Sequence, residues 1–168
     1  MGMRSYYLID NKIQSLEEPE VAALSKMNKS KSATLLADQQ VLVIDDSPIN
    51  LIVAEKTLSK FGAKCFRAIS AKEGLKVFHE EKIDLVLMDL HMPVIDGFKG
   101  TDLIRETEKF QAHPVPIMAY TTFSHDEVME GIKKHKLDGY IGKPFTQAQV
   151  IGSIFEVLSL RQQKYKQA

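Results

Sequence analysis

The chain has 168 residues, which is the length of one domain with a short appendage. Hydrophobic residues make up 44% of it, and its 22 basic and 22 acidic residues cancel, so the composition argues against direct binding of nucleic acid or of a membrane surface. A single cysteine, Cys65, excludes an intrachain disulfide, no apolar run approaches the roughly 20 residues that span a bilayer, and we therefore expect a cytoplasmic protein.

The first 38 residues are less regular than the rest of the chain. Residues 4–13, "RSYYLIDNKI", could form a strand, residues 17–27 could form a short helix, and residues 25–38 have the composition of a linker. We predict an N-terminal extension over residues 1–38 and a single domain over residues 39–165. The extension could equally be the tail of a preceding domain in a longer protein.

From Gln40 onward, short apolar runs alternate with helical patterns. The apolar runs predict five strands, at residues 41–44, 63–68, 84–88, 115–120 and 139–142. The segments that follow them predict five helices, at residues 50–62, 70–81, 96–110, 124–135 and 146–163. Strict alternation of strands and helices implies a parallel sheet covered by helices on both faces, and this burial explains why the runs are continuously apolar.

Polar residues follow four of these strands at the point where each one ends. The set comprises Asp45 and Asp46 after the first strand, Asp89 after the third, Thr121 and Thr122 after the fourth, and Lys143-Pro144 after the fifth. In open α/β sheets the ligand site lies outside the carboxyl ends of the strands. We therefore expect three carboxylates, a hydroxyl and an ammonium to meet at one edge of the sheet.

Three neighbouring carboxylates repel one another, so one of them binds a proton or a cation neutralises them. A small set of oxygen ligands suits Mg²⁺, which keeps several waters and completes its shell with a phosphoryl group. A carboxylate can also act as the nucleophile in phosphoryl transfer, while a lysine and a hydroxyl stabilise the transferring group. The predicted set therefore fits formation of an aspartyl-phosphate.

Four segments together resemble the motifs of response-regulator receiver domains, in their order and spacing. They are "VLVIDDSPIN", "DLVLMDLHMPVIDG", "PIMAYTT" and "GYIGKPF", and the resemblance covers about residues 40–160. It implies a doubly wound, flavodoxin-like (βα)5 fold with a five-stranded parallel sheet in the order 2-1-3-4-5. The "SPIN" and "MPVIDG" segments are most similar to the receiver domains of hybrid histidine kinases, with a stand-alone regulator as the alternative.

The resemblance also implies a role for each residue of the site. Asp89 would be the phosphoacceptor, and Lys143 would contact it and the phosphoryl group. Thr121 would be the switch hydroxyl, and Tyr140 the aromatic residue that turns inward with it. The Mg²⁺ ligands would be Asp45, Asp46, Asp89 and the backbone carbonyl of His91. The Lys143-Pro144 bond would be cis.

The implied partner is a histidine kinase or a histidine phosphotransfer domain, and the implied pairing face for a homodimer combines the fourth helix, the fifth strand and the last helix. Two other functions remain open. An aspartyl-nucleophile phosphatase would usually carry a second Asp two residues after the first, where this chain has His91. An interaction domain that works without phosphorylation would keep the acidic site unused.

Overall fold

A computed structural model of the chain describes residues 6–9, 12–15 and 35–167. The strands are β1 (Tyr6–Ile9), β2 (Lys12–Ser15), β3 (Gln40–Ile44), β4 (Lys64–Ala68), β5 (Leu85–Met88), β6 (Ile117–Thr121) and β7 (Gly139–Gly142). The helices are α1 (Pro48–Ser59), α2 (Ala71–Glu80), α3 (Gly97–Arg105), α4 (Glu108–Ala112), α5 (His125–Lys134) and α6 (Gln147–Gln167). All five predicted strands of the domain are therefore present, as are four of its five predicted helices.

The strands form a single sheet in the order β2-β1-β7-β6-β5-β3-β4. Strands β3 to β7 are mutually parallel. When these five strands are numbered from 1 to 5 along the chain, their order across the sheet is 2-1-3-4-5. The predicted flavodoxin-like parallel sheet is confirmed. The first two strands extend it with an antiparallel hairpin, because β1 pairs with both β2 and β7.

Two hydrophobic cores lie on opposite faces of the sheet, as the continuously apolar strands require. On one face α1 and α6 pack against alternate residues of the central strands, such as Val43 and Leu87. On the other face α2 to α5 pack against the intervening residues of the same strands, such as Leu42 and Val86. Because β3 and β5 are buried on both sides, their carboxyl ends are held in fixed positions.

One helix of the domain differs from its prediction. The continuous helix predicted over residues 96–110 is wrong, because the chain forms α3 and then α4, with Thr107 as the N-cap of the second helix. The hydroxyl of Thr107 accepts a hydrogen bond from the Phe110 N–H at 3.1 Å and donates one to the Ile104 carbonyl at 2.7 Å. These local bonds compete with continuation of the helix.

The N-terminal prediction has a mixed outcome. The strand predicted within residues 4–13 is present as β1, and a second strand, β2, follows it. The helix predicted over residues 17–27 lies outside the described residues. Residues 35–38, assigned to the linker, form a turn in which Leu36 is fully buried. The end of the predicted linker thus contributes to the core. Over the described residues, no helix is long and apolar enough to cross a membrane.

Candidate functional site

The register of the central strands brings two of the predicted carboxylates together. Ile44 of β3 lies opposite Met88 of β5, and each is followed at once by an aspartate. The Asp89 N–H donates to the Ile44 carbonyl at 2.9 Å, which extends the pairing of these strands by one residue. Oxygens of Asp45, Asp46 and Asp89 all lie within 4.8 Å of one another. The structure therefore forms the predicted acidic cluster.

Asp45 is fully buried and is held by the beginning of α1. Its Oδ1 accepts the Ser47 N–H at 2.8 Å, and the side-chain amide of Asn50 lies 3.1 Å from both carboxylate oxygens. A buried carboxylate needs such donors, because its lost hydration must be replaced. Helix α1 begins here with Ser47 as its N-cap and Pro48 in its first turn. The aspartate thus has a fixed orientation.

Lys143 supplies the positive charge of the site. It follows β7 directly, and its bond to Pro144 is cis, as the resemblance implied. Its Nζ contacts Oδ2 of Asp45 and lies 3.6 Å from Oδ2 of Asp89, with 8% of the side chain exposed. The same Nζ lies 4.4 Å from the centre of the Tyr120 ring, a distance at which the ring face attracts a cation.

Asp89 is nearly buried, and this burial raises its pKa above the ordinary carboxyl value. The Lys143 ammonium and the His91 N–H, which donates to Asp89 Oδ1 at 3.2 Å, favour the charged form and lower the pKa. The negative charges of Asp45 and Asp46 raise the pKa again. A cation added to the cluster would therefore favour the ionised, nucleophilic form of Asp89.

The cluster has the composition of a site for a hard divalent cation. It offers oxygen ligands from three carboxylates, and one ammonium does not balance their charge. Asp46 is exposed, so its side of the cluster is open to solvent and to waters that a cation would keep. The residues present therefore fit a small oxygen-seeking cation.

Thr121 and Tyr140 lie on the two strands beside the acidic cluster. Thr121 ends β6 and is fully buried, its carbonyl accepts the Lys143 N–H at 2.7 Å, and its hydroxyl accepts the Phe123 N–H at 3.4 Å. Tyr140 is 6% exposed, and its hydroxyl donates to the Phe123 carbonyl at 2.6 Å. Both predicted switch residues thus contact the loop that connects β6 to α5. Their switching roles stay predictions.

His91 lies on the loop that follows Asp89. Its side chain is exposed, and its ring packs edge-on against Phe123 at a centroid distance of 5.4 Å. Its backbone N–H holds the Asp89 carboxylate. The role of its carbonyl as a metal ligand stays a prediction.

Two residues of the site were not among the predicted ones. Asn50 orients Asp45, and the ring of Tyr120 lies beside the Lys143 ammonium. A weak signal exists for Asn50, which lies one helical turn after the acidic pair in "DDSPIN". For Tyr120 the sequence shows only an aromatic residue inside a buried strand.

Comparison with known proteins adds a family to this geometry. Residues 41–155 match the family model described as the response regulator receiver domain. A relative described as probable histidine kinase 4, from Oryza sativa subsp. japonica, is 34% identical over 143 residues. That alignment covers 74% of this chain and 14% of the relative, so the chain corresponds to a small part of such proteins.

Two solved structures have the same fold. The chemotaxis protein CheY4 of Vibrio cholerae superimposes with a TM-score of 0.67 and 26% identity, over 72% of this chain and 99% of that one. The receiver domain of the histidine kinase CKI1 of Arabidopsis thaliana, in complex with Mg²⁺ and BeF₃⁻, gives a TM-score of 0.68 and 27% identity. The match covers 78% of this chain and 97% of that one.

Proposed function

The chain belongs to the response regulator receiver domain family, a family of phosphorelay signal transduction, and we propose that its Asp89 accepts a phosphoryl group from a phosphohistidine on a partner protein. The observation that carries the proposal is the contact of one buried ammonium, Lys143, with two of three clustered carboxylates. This arrangement suits an acceptor carboxylate, a cation site and a charge stabiliser within a few ångströms.

In the proposed transfer, a carboxylate oxygen of Asp89 attacks phosphorus, and the bond between phosphorus and the histidine nitrogen breaks. The imidazole leaves with the electrons of that bond and takes up a proton. Hydrolysis of the aspartyl-phosphate later restores the carboxylate. The domain therefore catalyses its own phosphorylation and dephosphorylation and acts as a switch.

We propose Mg²⁺ as the cofactor, held by Asp45, Asp46, Asp89 and the backbone carbonyl of His91. The support is the oxygen-only cluster and its unbalanced negative charge. When bound, Mg²⁺ neutralises the negative charge that develops on the phosphoryl oxygens. The chain itself contributes Lys143, whose ammonium can turn toward one of those oxygens while Tyr120 keeps it at the site.

The switch runs through Thr121 and Tyr140. In the proposed response, the Thr121 hydroxyl moves to a phosphoryl oxygen, and this favours the inner position of Tyr140, whose side chain is already buried in this structure. The loop at Phe123 links the two residues, since it contacts both hydroxyl groups. Phosphorylation would thereby shift the equilibrium between two arrangements of the surface formed by α5, β7 and α6.

The proposal is tested with a small-molecule phosphodonor, acetyl phosphate, in the presence of Mg²⁺. We expect intact mass spectrometry to detect one phosphoryl adduct on the native chain and none on Asp89→Asn, because the amide is not a nucleophile. Asp96→Asn is the matched control and keeps the adduct, since Asp96 is exposed and caps α3, a role that Asn also fills. Removal of Mg²⁺ with a chelator abolishes the reaction.

The same experiment separates the alternatives. A chain that hydrolyses many phosphate esters without keeping an adduct is a phosphatase. Absence of any adduct at saturating phosphodonor and Mg²⁺ would identify an interaction domain that works without phosphorylation. An adduct that survives in Asp89→Asn would show that another residue is the acceptor.

An exposed apolar surface beside the acidic cluster supports a protein phosphodonor. Helix α1 buries Leu51, Ala54 and Leu58 in the core, yet its outer side exposes Ile49 by 73%, Ile52 by 40% and Val53 by 45%. The helix begins two residues after Asp46. Exposed apolar groups in such a patch mark a contact site for another protein. We propose that the histidine kinase or histidine phosphotransfer domain binds there.

The docking proposal predicts a split between protein and small-molecule donors. Ile52→Glu should slow phosphoryl transfer from phosphorylated histidine phosphotransfer proteins about tenfold or more, because a charge replaces a buried interface contact. Transfer from acetyl phosphate should be unchanged. Phe155→Glu, at a side chain of similar exposure on α6, is the matched control and should leave both rates unchanged. Equal slowing by both variants would contradict the assignment of this surface.

The remaining parts of the proposal concern context. We propose that the parent protein is a hybrid histidine kinase, because the chain aligns with only 14% of a much longer relative described as a histidine kinase. A cytoplasmic location is supported by the free thiol of Cys65, the one cysteine of the sequence. A homodimer would use the face formed by α5, β7 and α6. In this structure β1 occupies the outer edge of β7.

A further inference from the structure

Strand β7 lacks the features with which proteins protect the edge of a sheet. Its sequence, Gly-Tyr-Ile-Gly, contains no charged residue and no proline. On its inner side it pairs with β6, in a register that sets Ala119 opposite Tyr140 and Thr121 opposite Gly142. An edge strand exposes unpaired N–H and C=O groups, and charges or prolines normally keep other strands from binding them. An uncovered β7 would therefore be open to pairing.

The opposite edge of the sheet is built differently. Strand β4 contains two exposed cations, Lys64 and Arg67. Arg67 forms an ion pair with Glu55 of α1 at 3.2 Å, and the Lys64 ammonium lies 4.5 Å from the centre of the Phe66 ring. Two charged side chains on five residues disfavour the approach of another strand. The contrast indicates that β7 is adapted to a covered position.

The cover is the hairpin formed by β1 and β2. Strand β1 runs antiparallel to β7, with Tyr6 opposite Tyr140 and Tyr7 opposite Gly139. All four residues of β1 pair with β2, so the outermost strand of the sheet becomes β2, which contains Lys12. The hairpin thus replaces an uncharged edge with one that contains a cation.

We propose that the N-terminal hairpin is a displaceable cover on β7 that keeps the chain monomeric by preventing a second copy from pairing at this edge. Two copies of a short edge strand can pair antiparallel about a two-fold axis, which makes a closed dimer. The inference rests on the proposed function only for the choice of the α5, β7 and α6 face as the dimer surface. The sheet itself identifies the unprotected edge.

The attachment of the cover is suited to displacement. Of the described residues of β1, Tyr6 and Tyr7 pair with β7, whereas the whole strand pairs with β2. The hairpin can therefore leave as a unit. It belongs to the same chain, so it competes for β7 as an intramolecular segment, at an effective concentration that a dilute second copy does not reach. A second copy therefore pairs at this edge only when the hairpin is disrupted.

The test is the full-length variant Tyr6→Pro/Tyr7→Pro. Adjacent residues of a strand direct their N–H groups to opposite sides, so the two prolines remove donors toward both β2 and β7. Sedimentation velocity over a concentration series should give a dimer dissociation constant about tenfold or more below that of the native chain. Ser30→Pro/Lys31→Pro adds the same two prolines between the hairpin and Leu35 and should behave like the native chain.

Hydrogen exchange shows whether β7 is the surface involved. In the native chain the peptide that contains Gly139 and Tyr140 should exchange slowly at all concentrations. In the Tyr6→Pro/Tyr7→Pro variant it should exchange faster when dilute and slowly again when the variant associates. The proposal is overturned if the variant stays monomeric, if it associates without renewed protection at residues 139–140, or if the native chain associates equally well.

The two proposals fail separately. The acetyl phosphate reaction is run on the same samples, and the prolines lie outside the parallel sheet that forms the site. An adduct on Asp89 without any change in association would overturn the cover and leave the phosphoacceptor proposal intact. Association of the proline variant without an adduct on any sample would do the reverse.

Discussion

Replacement of Lys143 by Met should slow formation of the Asp89 adduct about 100-fold, because a preorganised donor aimed at developing charge contributes a factor of that order. In the native chain the ammonium lies 3.6 Å from Asp89 Oδ2 and is largely shielded from solvent. Its charge also lowers the pKa of Asp89, against the effect of burial. The variant would therefore lose a group that stabilises the charge of the phosphoryl group. In addition, a smaller fraction of its Asp89 would be in the ionised, nucleophilic form.

The same substitution should destabilise the fold in the absence of Mg²⁺. Asp45 is fully buried and in contact with Lys143, and removal of one partner of a buried ion pair typically costs about 3 kcal/mol or more. The measurements are the rate of adduct formation from acetyl phosphate and the free energy of unfolding in urea. Mg²⁺ should restore part of the stability but not the rate.

A double-mutant cycle separates the two roles of Lys143. Asp45→Asn/Lys143→Met removes both charges of the pair, so it should recover most of the lost stability while its reaction rate stays low. Lys133→Met is the matched control at an exposed position of α5 and should change neither quantity. A Lys143→Met chain that reacts at the native rate would contradict the proposed role.

The parallel sheet could be predicted from sequence because burial on both faces leaves a direct pattern. The apolar run Leu85–Met88 is fully buried, and the residue that follows it is the carboxylate at the functional edge. The helix N-caps were also predictable, since Ser70 accepts the Glu73 N–H and Glu127 accepts the Ser124 N–H over a few residues of chain. Each of these hydrogen bonds joins residues within one helical turn, so a short stretch of sequence is enough to predict it.

The position of the N-terminal strands depends on contacts that are remote in sequence. A strand of four residues has no stability of its own, and β1 is placed by its pairing with β7, more than 100 residues later. The strand order was likewise inferred from family resemblance, since the apolar pattern of a strand does not identify its neighbours. The sequence could therefore indicate a strand near Tyr6 but not the edge that it covers.

The residues of the site also form two groups, those that the sequence could identify and those that could be identified only from the tertiary structure. Asp45, Asp46, Asp89, Thr121 and Lys143 could be identified because each lies at or just beyond the carboxyl end of a strand, and parallel strands end at one edge. Asn50 could not be assigned to Asp45 without the path of α1. Tyr120 required the position of the Lys143 side chain, which crosses from the neighbouring strand. Asn50 and Tyr120 position other side chains, and such residues are identified by tertiary contacts and not by their spacing in the sequence.

A single methyl group at Gly97 should be more damaging than at any other helical glycine of this site. A Cβ at Gly97 would lie 2.1 Å from the carbonyl oxygen of Asp89 and 2.7 Å from the Cα of Leu90. Both atoms belong to the backbone that positions the phosphoacceptor, so no side chain can move aside. The Gly97 N–H donates to the Leu90 carbonyl at 3.2 Å, which fixes this close approach.

We expect Gly97→Ala to lower the free energy of unfolding by about 3 kcal/mol, at the upper end of the cost of overpacking, and to slow adduct formation on Asp89. The matched control is Gly100→Ala, one turn later in α3. Its Cβ would meet the Ala71 Cβ at 3.1 Å and the flexible end of Met88 at 3.3 Å. Because alanine also favours the helix by about 1 kcal/mol, the control should be nearly neutral.

Urea denaturation and the acetyl phosphate reaction measure the two effects on the same variants. The distinctive result is a joint loss at Gly97, since the displaced atom is the carbonyl oxygen of the phosphoacceptor itself. Gly97→Ala with native stability would mean that the Asp89–Leu90 backbone can relax at little cost. Full stability loss with a native reaction rate would mean that α3 moves away instead and leaves Asp89 in place. Either outcome would show that Gly97 does not hold the carboxylate in position.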